Sequence, residues 1–131
     1  MAAHATSMLR PVSLDTANTC RTTYCLVGHT HVPLVFEYDA NSRSARRIFA
    51  AADELASGVP LGDPASMRYV INPGSVGQPR DGDPRASCAV LDTEARTLSI
   101  LRVAYDVSAA QRKIREAGLP SFLADRLAMG R

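Results

Sequence analysis

Two histidines separated by one residue, His29 and His31, follow directly after a short apolar run of the sequence. In extended backbone, residues i and i+2 point to the same side and lie about 6.6 Å apart at Cα. Imidazoles at this spacing suit a pair of metal ions, which in hydrolytic sites lie about 3.5–4 Å from each other. Thr30 is expected to point elsewhere, and Gly28 to allow a tight turn and a close backbone approach. The pattern predicts a metal site, although a purely structural pair of histidines has the same spacing.

A second turn whose residues could bind a ligand, Asn72 to Ser75, also follows an apolar run. A turn rich in Asn, Gly and Ser exposes backbone N–H groups and a hydroxyl, which suits an anion such as phosphate. A plain tight turn has the same composition, so both interpretations stay open. Arg80 and Arg85 follow, and their planar guanidinium groups match phosphate oxygens. We take Asn72, Gly74, Ser75 and Arg85 as candidate phosphate-binding residues.

Short runs of apolar and β-forming residues, bounded by turn residues, predict the strands that position these turns. The predicted strands cover residues 23–27, 33–38, about 46–49, 68–71, 86–92 and 97–105. Glycine and proline interrupt residues 51–66, which are predicted to be a surface loop with at most one helical turn at its start. Two helices follow, one capped by Ser108 and ending at Glu116, the other covering 122–129 and capped by Ser121. Strands followed by helices indicate an α/β or α+β unit.

The composition excludes several classes of protein. The chain has 131 residues, 46% of them apolar, and a net charge of +2 from 15 basic and 13 acidic side chains. That charge is too small to favour nucleic acid, and no run of 18 apolar residues predicts a membrane span. The 3 cysteines lack zinc spacing and an activating neighbour, which favours inert thiols and a cytoplasmic protein. Residues 1–8 have no apolar core of a signal peptide, and we expect them to be unstructured.

Four segments of the sequence occur in an order found in one family of enzymes. They are Tyr24-Cys-Leu-Val-Gly-His-Thr-His-Val-Pro33, Tyr69 to Arg80, Asp81 to Ser87, and a tail that includes Arg112 to Pro120. Together they resemble the C-terminal part of a calcineurin-like metallophosphoesterase. The likeness runs from about Leu9 to the C-terminus. Residues 9–131 would therefore be a partial domain of that family.

The resemblance implies a fold and an activity. The fold would be α/β with α+β character: the C-terminal half of a four-layer αββα sandwich, mostly β-strands followed by two C-terminal helices. The activity would be the hydrolysis of phosphate mono- or diesters with two divalent metal ions, His29 binding one ion and His31 the other. Imidazole binds Mn, Zn, Fe or Ni alike, so the metal stays open, as does the substrate.

This sequence departs from the family pattern in one important respect. The family motifs Asp-x-His, Gly-Asp-x-x-Asp and Gly-Asn-His-(Asp/Glu), and a further metal-binding histidine, do not occur in it. It therefore contains no catalytic residue of the family, and two imidazoles fall short of the three or four protein ligands of a tight site. We expect weak metal binding and no activity from the chain alone. Its strands are also expected to expose apolar edges.

Three hypotheses follow from this departure. The chain is the C-terminal half of a truncated phosphoesterase, or a half-domain that pairs with a separate N-terminal half or with itself, or a non-enzymatic remnant with a binding or structural role. The in-frame translation upstream of Met1 distinguishes them, because the missing aspartate and histidine motifs would be found there only in the first case.

Overall fold

The computed structural model describes residue 17, residues 19–48 and residues 56–131. The strands in these residues are β1 (Tyr24–Leu26), β2 (Pro33–Asp39), β3 (Ser44–Arg47), β4 (Val59–Pro60), β5 (Met67–Pro73), β6 (Ala86–Asp92) and β7 (Thr97–Val103). The helices are α1 (Val107–Glu116), α2 (Ser121–Asp125) and a 3₁₀ helix (Arg126–Met129). The segment 1–8 that we expected to be unstructured, and the expected helical turn at 51–55, lie outside the described residues.

The strands form two sheets. The four-stranded sheet has the order β1-β5-β2-β3, in which β1 is parallel to β5 and the other pairs are antiparallel. The three-stranded sheet has the order β4-β7-β6 and is antiparallel. The parallel pair matters for function, because its two strands end at the same edge of the sheet and place the loops that follow side by side.

The main hydrophobic core lies between the two sheets. It contains Val35, Tyr69 and Ile71 from the four-stranded sheet and Leu98 and Ile100 from β7, all at most 1% exposed. The opposite face of the four-stranded sheet has a second core, formed by Ala17, Leu34, Phe36, Tyr38 and Val70. Alternate residues of β2 and β5 therefore enter different cores, which explains why these strands are apolar along their length.

The predicted strands are confirmed with small shifts in their ends. Strand β6 has the predicted bounds, whereas β5 is longer than predicted and includes Asn72 and Pro73, which we had placed in the turn. The predicted loop 51–66 contains a strand of two residues, β4, which pairs with β7 at Leu98 and Thr97. So short a strand has no periodicity of its own and is defined only by its partner.

The two helices are confirmed, but both predicted N-caps are wrong. Helix α1 is capped by Asp106, whose side chain accepts a hydrogen bond of 2.8 Å from the backbone N–H of Ala109. A carboxylate serves this position as well as a hydroxyl does, and Ser108 lies inside the helix. Helix α2 begins at Ser121 itself, after Pro120, and its last turn is a 3₁₀ helix.

Three polar side chains are joined by hydrogen bonds across the four-stranded sheet. Glu37 on β2 is only 8% exposed and lies opposite Arg46 on β3 and Tyr69 on β5. Its carboxylate accepts a hydrogen bond of 2.7 Å from Arg46 and one of 3.1 Å from the Tyr69 hydroxyl. That hydroxyl also accepts one from the N–H of Gly62 at 2.6 Å. Burial, with the Glu37 carboxylate nearby, raises the pKa of Tyr69 to about 12.

No helix in the described residues has the length and apolar character needed to cross a bilayer. Cys20, Cys25 and Cys88 are free thiols, as expected. Burial raises the pKa of the Cys25 thiol, which disfavours the reactive thiolate.

We predict that Tyr69→Phe lowers the free energy of unfolding by about 1–2 kcal/mol, because one hydroxyl satisfies both Gly62 and Glu37. Urea unfolding at pH 7 measures this. The matched control is Tyr24→Phe, whose ring stacks on Tyr69 at 6.0 Å; it should change stability by less than about 0.5 kcal/mol. Equal effects of the two variants would contradict the role of the hydroxyl.

The Tyr69 hydroxyl also predicts how the stability of the protein depends on pH. The pKa of Tyr69 is raised in the folded state, so its contribution to stability is complete below about pH 10, the ordinary tyrosine value, and is lost as the pH rises toward 12. Tyr69→Phe should remove that part of the alkaline decline in stability.

Candidate metal-binding turn

The two histidines lie in a strained turn at the carboxyl end of β1. The N–H of Thr30 donates to the carbonyl of Gly28 at 2.9 Å, which makes a γ-turn centred on His29. His29 has φ 72° and His31 has φ 60°, so both adopt the left-handed backbone. For a residue with a Cβ, such a conformation costs of order 1–3 kcal/mol, and it concentrates at functional sites.

Two expectations about this turn are wrong. The backbone is not extended through His29 and His31, because the γ-turn reverses its direction. Gly28 is not the strained residue either: its φ is not positive, and a Cβ there would meet nothing within 4 Å. The left-handed positions fall on the histidines themselves. The expectation for Thr30 is confirmed, since its hydroxyl accepts a hydrogen bond of 3.0 Å from the Asn72 side chain.

The ring of His31 is oriented by a backbone carbonyl. Its Nδ1 lies 2.8 Å from the carbonyl oxygen of Gln78. A carbonyl oxygen can only accept, so Nδ1 donates this bond, which leaves Nε2 as the ring nitrogen that could bind a metal ion. A hydrogen bond to the second ring nitrogen is the usual way in which a protein fixes the orientation of a histidine that binds metal. His31 is half-buried, and His29 is exposed.

Asn72 holds the histidine turn against the end of β5. Its side-chain N–H₂ donates to the carbonyl of Gly28 at 2.9 Å and to the hydroxyl of Thr30 at 3.0 Å. Its side-chain oxygen accepts a bond of 3.0 Å from the N–H of Gly74. Asn72 is only 3% exposed. The side chain therefore has a structural role in linking the two turns, and phosphate binding by Asn72 stays a prediction.

Gly74 and Ser75 complete this second turn. Gly74 has φ +85°, and a Cβ there would lie 2.8 Å from the Ser87 side chain, so only glycine fits. The Ser75 hydroxyl accepts a bond of 2.9 Å from the N–H of Gln78, the residue whose carbonyl binds His31. Ser75 thus positions His31 through Gln78. Phosphate binding by Gly74 and Ser75 also stays a prediction.

The two arginines of the following loop have different partners. The Arg85 guanidinium donates to both carboxylate oxygens of Asp83, with distances of 2.7–3.1 Å. This bonding holds the pKa of Asp83 below its usual value. Arg102, whose side chain is 4% exposed, forms an ion pair with Asp81 and lies 3.8 Å from Asp83. The Arg80 guanidinium contacts a neutral group, the side-chain oxygen of Gln78.

The described residues hold two candidate metal ligands, His29 and His31, in one turn but no complete set of ligands. Among them, no group of three or more His, Cys, Asp and Glu side chains lies close enough to hold an ion. The residue pattern predicts the turn, but it predicts neither the contact of Gln78 with His31 nor the structural role of Asn72. Gln78 acts through its backbone carbonyl, 47 residues from His31 in the sequence. No residue pattern signals such a contact.

Three comparisons show which known proteins this chain resembles. Residues 2–96 match the calcineurin-like phosphoesterase superfamily domain. A crystal structure of a metallophosphoesterase from Sphaerobacter thermophilus superposes with a TM-score of 0.70 and 40% identity, covering 93% of this chain and 47% of that chain. An uncharacterized protein of Methanocaldococcus jannaschii is 38% identical over 106 residues, which are 80% of this chain and 38% of that protein.

The chain belongs to the calcineurin-like phosphoesterase superfamily. The fold class expected from the resemblance is confirmed by the Sphaerobacter structure. The 131 residues span less than half the length of each of these two relatives.

We predict that Asn72→Asp destabilises the protein by about 2–4 kcal/mol. The new carboxylate would lose the bonds that the amide donates to Gly28 and Thr30, would face the Gly28 carbonyl oxygen, and would bury its charge. Thermal and urea unfolding measure the loss. The matched control is Asn41→Asp in the exposed β2–β3 turn, which should stay within about 0.5 kcal/mol of wild type. A similar cost for both variants would show that Asn72 does not hold the turn.

Proposed function

We propose that this chain contributes two histidine ligands to a dinuclear metal centre that hydrolyses phosphate mono- or diesters. His29 binds one divalent ion and His31 the other. The observation that carries the proposal is the His31 Nδ1 contact with the Gln78 carbonyl, which leaves Nε2 as the donor. The left-handed backbone at both histidines supports it, because strain of this kind is maintained where a side chain must be presented in one direction.

The residues present fit part of such a centre. Imidazole nitrogen is a suitable donor for Mn, Zn, Fe and Ni, so the chemistry of the two ligands is appropriate and does not select among these metals. When bound, divalent ions neutralise charge on the phosphoryl oxygens and make water a better nucleophile at neutral pH. The chain's own residues orient the imidazoles: Gln78 fixes the ring of His31, and Asn72 fixes the turn. Carboxylate ligands must come from outside the described residues.

Arg80 is the arginine best placed to bind the substrate phosphate. Its backbone N–H donates to the carbonyl of His31 at 3.2 Å, so it follows the histidine turn closely. It is exposed, and its guanidinium donates to an uncharged group, the side-chain oxygen of Gln78. Arg85, by contrast, is bonded to the Asp83 carboxylate, which offsets its charge. We therefore propose Arg80, ahead of Arg85, as the main phosphate-binding arginine beside Asn72, Gly74 and Ser75.

A non-enzymatic role is the second candidate. The observation that favours it is that the described residues hold no three-ligand cluster. In that case the histidine turn would be vestigial and the domain would serve binding or packing. Metal affinity separates the two candidates.

Titration of the full chain with Zn²⁺ and Mn²⁺, followed by calorimetry, tests the role of the histidines. Wild type should bind weakly, and His29→Ala and His31→Ala should each reduce the affinity by about 10-fold or more. His4→Ala, which removes the remaining histidine of the chain, is the matched control and should have no effect. The proposal is wrong if His4→Ala has the same effect as the other two variants.

Activity of the chain alone should be absent. With either metal, hydrolysis of a chromogenic phosphodiester by the 131 residues should not exceed the rate in buffer, because the family's Asp-x-His, Gly-Asp-x-x-Asp and Gly-Asn-His-(Asp/Glu) motifs do not occur in this sequence. Robust turnover that His29→Ala abolishes would instead show that the chain is an enzyme without further ligands.

In an active assembly that supplies the missing ligands, Arg80→Ala should raise the KM for a phosphodiester by about 10–100-fold, the effect of losing a charge-assisted hydrogen bond. Arg85→Ala should act mainly on thermal stability, since it removes the partner of Asp83. A larger effect of Arg85→Ala on KM than of Arg80→Ala would contradict the assignment.

A further inference from the structure

The loop of residues 78–85 joins the histidine turn to a segment far from it in the sequence. At the start of the loop, the carbonyl of Gln78 accepts the bond of 2.8 Å from Nδ1 of His31. Further along, the N–H of Gly82 donates to the carbonyl of Gly130 at 3.0 Å, and Gly130 directly follows the 3₁₀ helix. The loop is therefore bonded on one side to a candidate metal ligand and on the other side to the end of that helix.

The residues between Gln78 and Gly82 leave this loop little freedom. Pro79 is fully buried, and its ring fixes the backbone φ. The backbone N–H of Arg80 donates to the histidine turn at 3.2 Å. The side chain of Asp81 forms an ion pair with a buried arginine. A shift of the backbone at Gly82 therefore cannot be absorbed between these residues and would reach the carbonyl of Gln78.

The buried arginine is Arg102 on β7, and it binds the loop from the interior of the molecule. Its side chain is 4% exposed, pairs with Asp81 and lies 3.8 Å from the carboxylate of Asp83. Its guanidinium also donates to the backbone carbonyl of Arg85 at 3.3 Å. A buried charge is costly unless it is paired. The loop therefore cannot move away from Arg102 without leaving that charge without its partners.

Gly130 packs against the same loop, backbone against backbone. It has φ 61°, and a Cβ there would lie 2.7 Å from the backbone nitrogen of Asp83 and 2.8 Å from the carbonyl carbon of Gly82. Only glycine allows so close an approach. The preceding 3₁₀ helix is held to the molecule by Leu127, which is 3% exposed. A side chain at position 130 would therefore push the loop and the helix end apart.

We propose that Arg102 and Gly130 are positioning residues for the candidate metal site. They fix the 78–85 loop and thereby hold the carbonyl of Gln78 against the ring of His31. Neither residue touches metal or substrate. The inference rests on the proposed function, in which His31 is a metal ligand. The orientation of the ring is measured without metal, however, so the two proposals can fail separately.

The test compares Gly130→Ala with Gly118→Ala in the full 131-residue chain. Both glycines have a left-handed backbone, with φ 61° and 69°, but a Cβ at Gly118 would meet nothing within 4 Å. The two variants therefore share the strain of alanine at positive φ and differ in the contact with the loop. Long-range ¹H–¹⁵N NMR spectra at pH 8.5 in EDTA report which ring nitrogen of His31 carries the proton.

In wild type and in Gly118→Ala, the proton of the His31 ring should be mainly on Nδ1. Gly130→Ala should lower the ratio of Nδ1-protonated to Nε2-protonated rings by about 3–10-fold, the effect of losing one hydrogen bond. The reason is that the carbonyl of Gln78 moves away with the loop.

A second set of variants tests the arginine. Arg102→Met should lower the same ratio, and Arg102→Lys, which keeps the charge, should restore part of it. The matched control is Arg115→Met, because Arg115 pairs with Asp125 at 2.8 Å on the helices and is about half exposed. It should have the wild-type ratio. If Arg102→Met does not fold, the comparison of the two glycine variants still decides the proposal.

Two results would overturn the positioning role. One is that Gly130→Ala melts at a lower temperature but keeps the wild-type ratio, which would make the contact purely structural. The other is that Gly118→Ala changes the ratio as much as Gly130→Ala does.

Titration with Zn²⁺, followed by the same NMR signals, separates this inference from the proposed function. Gly130→Ala should bind Zn²⁺ about 3–10-fold more weakly than wild type, and Gly118→Ala like wild type. Equal affinity in both variants, with wild-type binding that His31→Ala weakens, would overturn the positioning role and leave the proposed function intact. Zn²⁺ binding that His31→Ala does not weaken would overturn the proposed function, whereas the tautomer ratios would still decide whether the loop is positioned by Arg102 and Gly130.

Discussion

The side-chain amide of Asn72 joins the two turns on which the candidate site depends. It fills three hydrogen-bonding positions, two on the histidine turn and one on its own turn, and almost no water reaches it. Without it the Gly28 carbonyl would keep only the γ-turn bond from the N–H of Thr30, and the histidine turn would lose its link to the end of β5. The parallel pairing of β1 and β5 brings the turns to the same edge, and Asn72 then fixes their relative position.

Most strands and helices could be predicted from the sequence because the residues that mark them lie close together along the chain. The hairpin of β6 and β7 follows from two apolar runs around a polar turn, and the exact bounds of β6 were predicted. The His-x-His motif was found because metal-binding residue types are rare. The positive φ of His29 and His31 was not predicted, since a left-handed φ is associated with glycine and nothing in the residue types marks these histidines. The contacts of Gln78 and Asn72 depend on tertiary structure.

Both faces of the central strands of the four-stranded sheet are covered, whereas the β1 end of that sheet exposes an apolar side chain. Strands β2 and β5 are covered on both faces, by the core between the sheets and by the core that includes Ala17. At β1 the same sheet ends with a leucine mostly exposed to solvent. This exposed leucine lies three residues before His29, at the strand end that leads into the histidine turn.

The left-handed conformation of the two histidines has an evolutionary consequence. Glycine accepts this backbone without strain, so replacing either histidine by glycine would relieve the turn and favour the folded state. A chain released from selection for its chemistry would therefore drift readily toward glycine or asparagine at these positions. Histidine at these two positions therefore costs folding stability that glycine would not, and a screen for stabilising substitutions would select against the two candidate ligands.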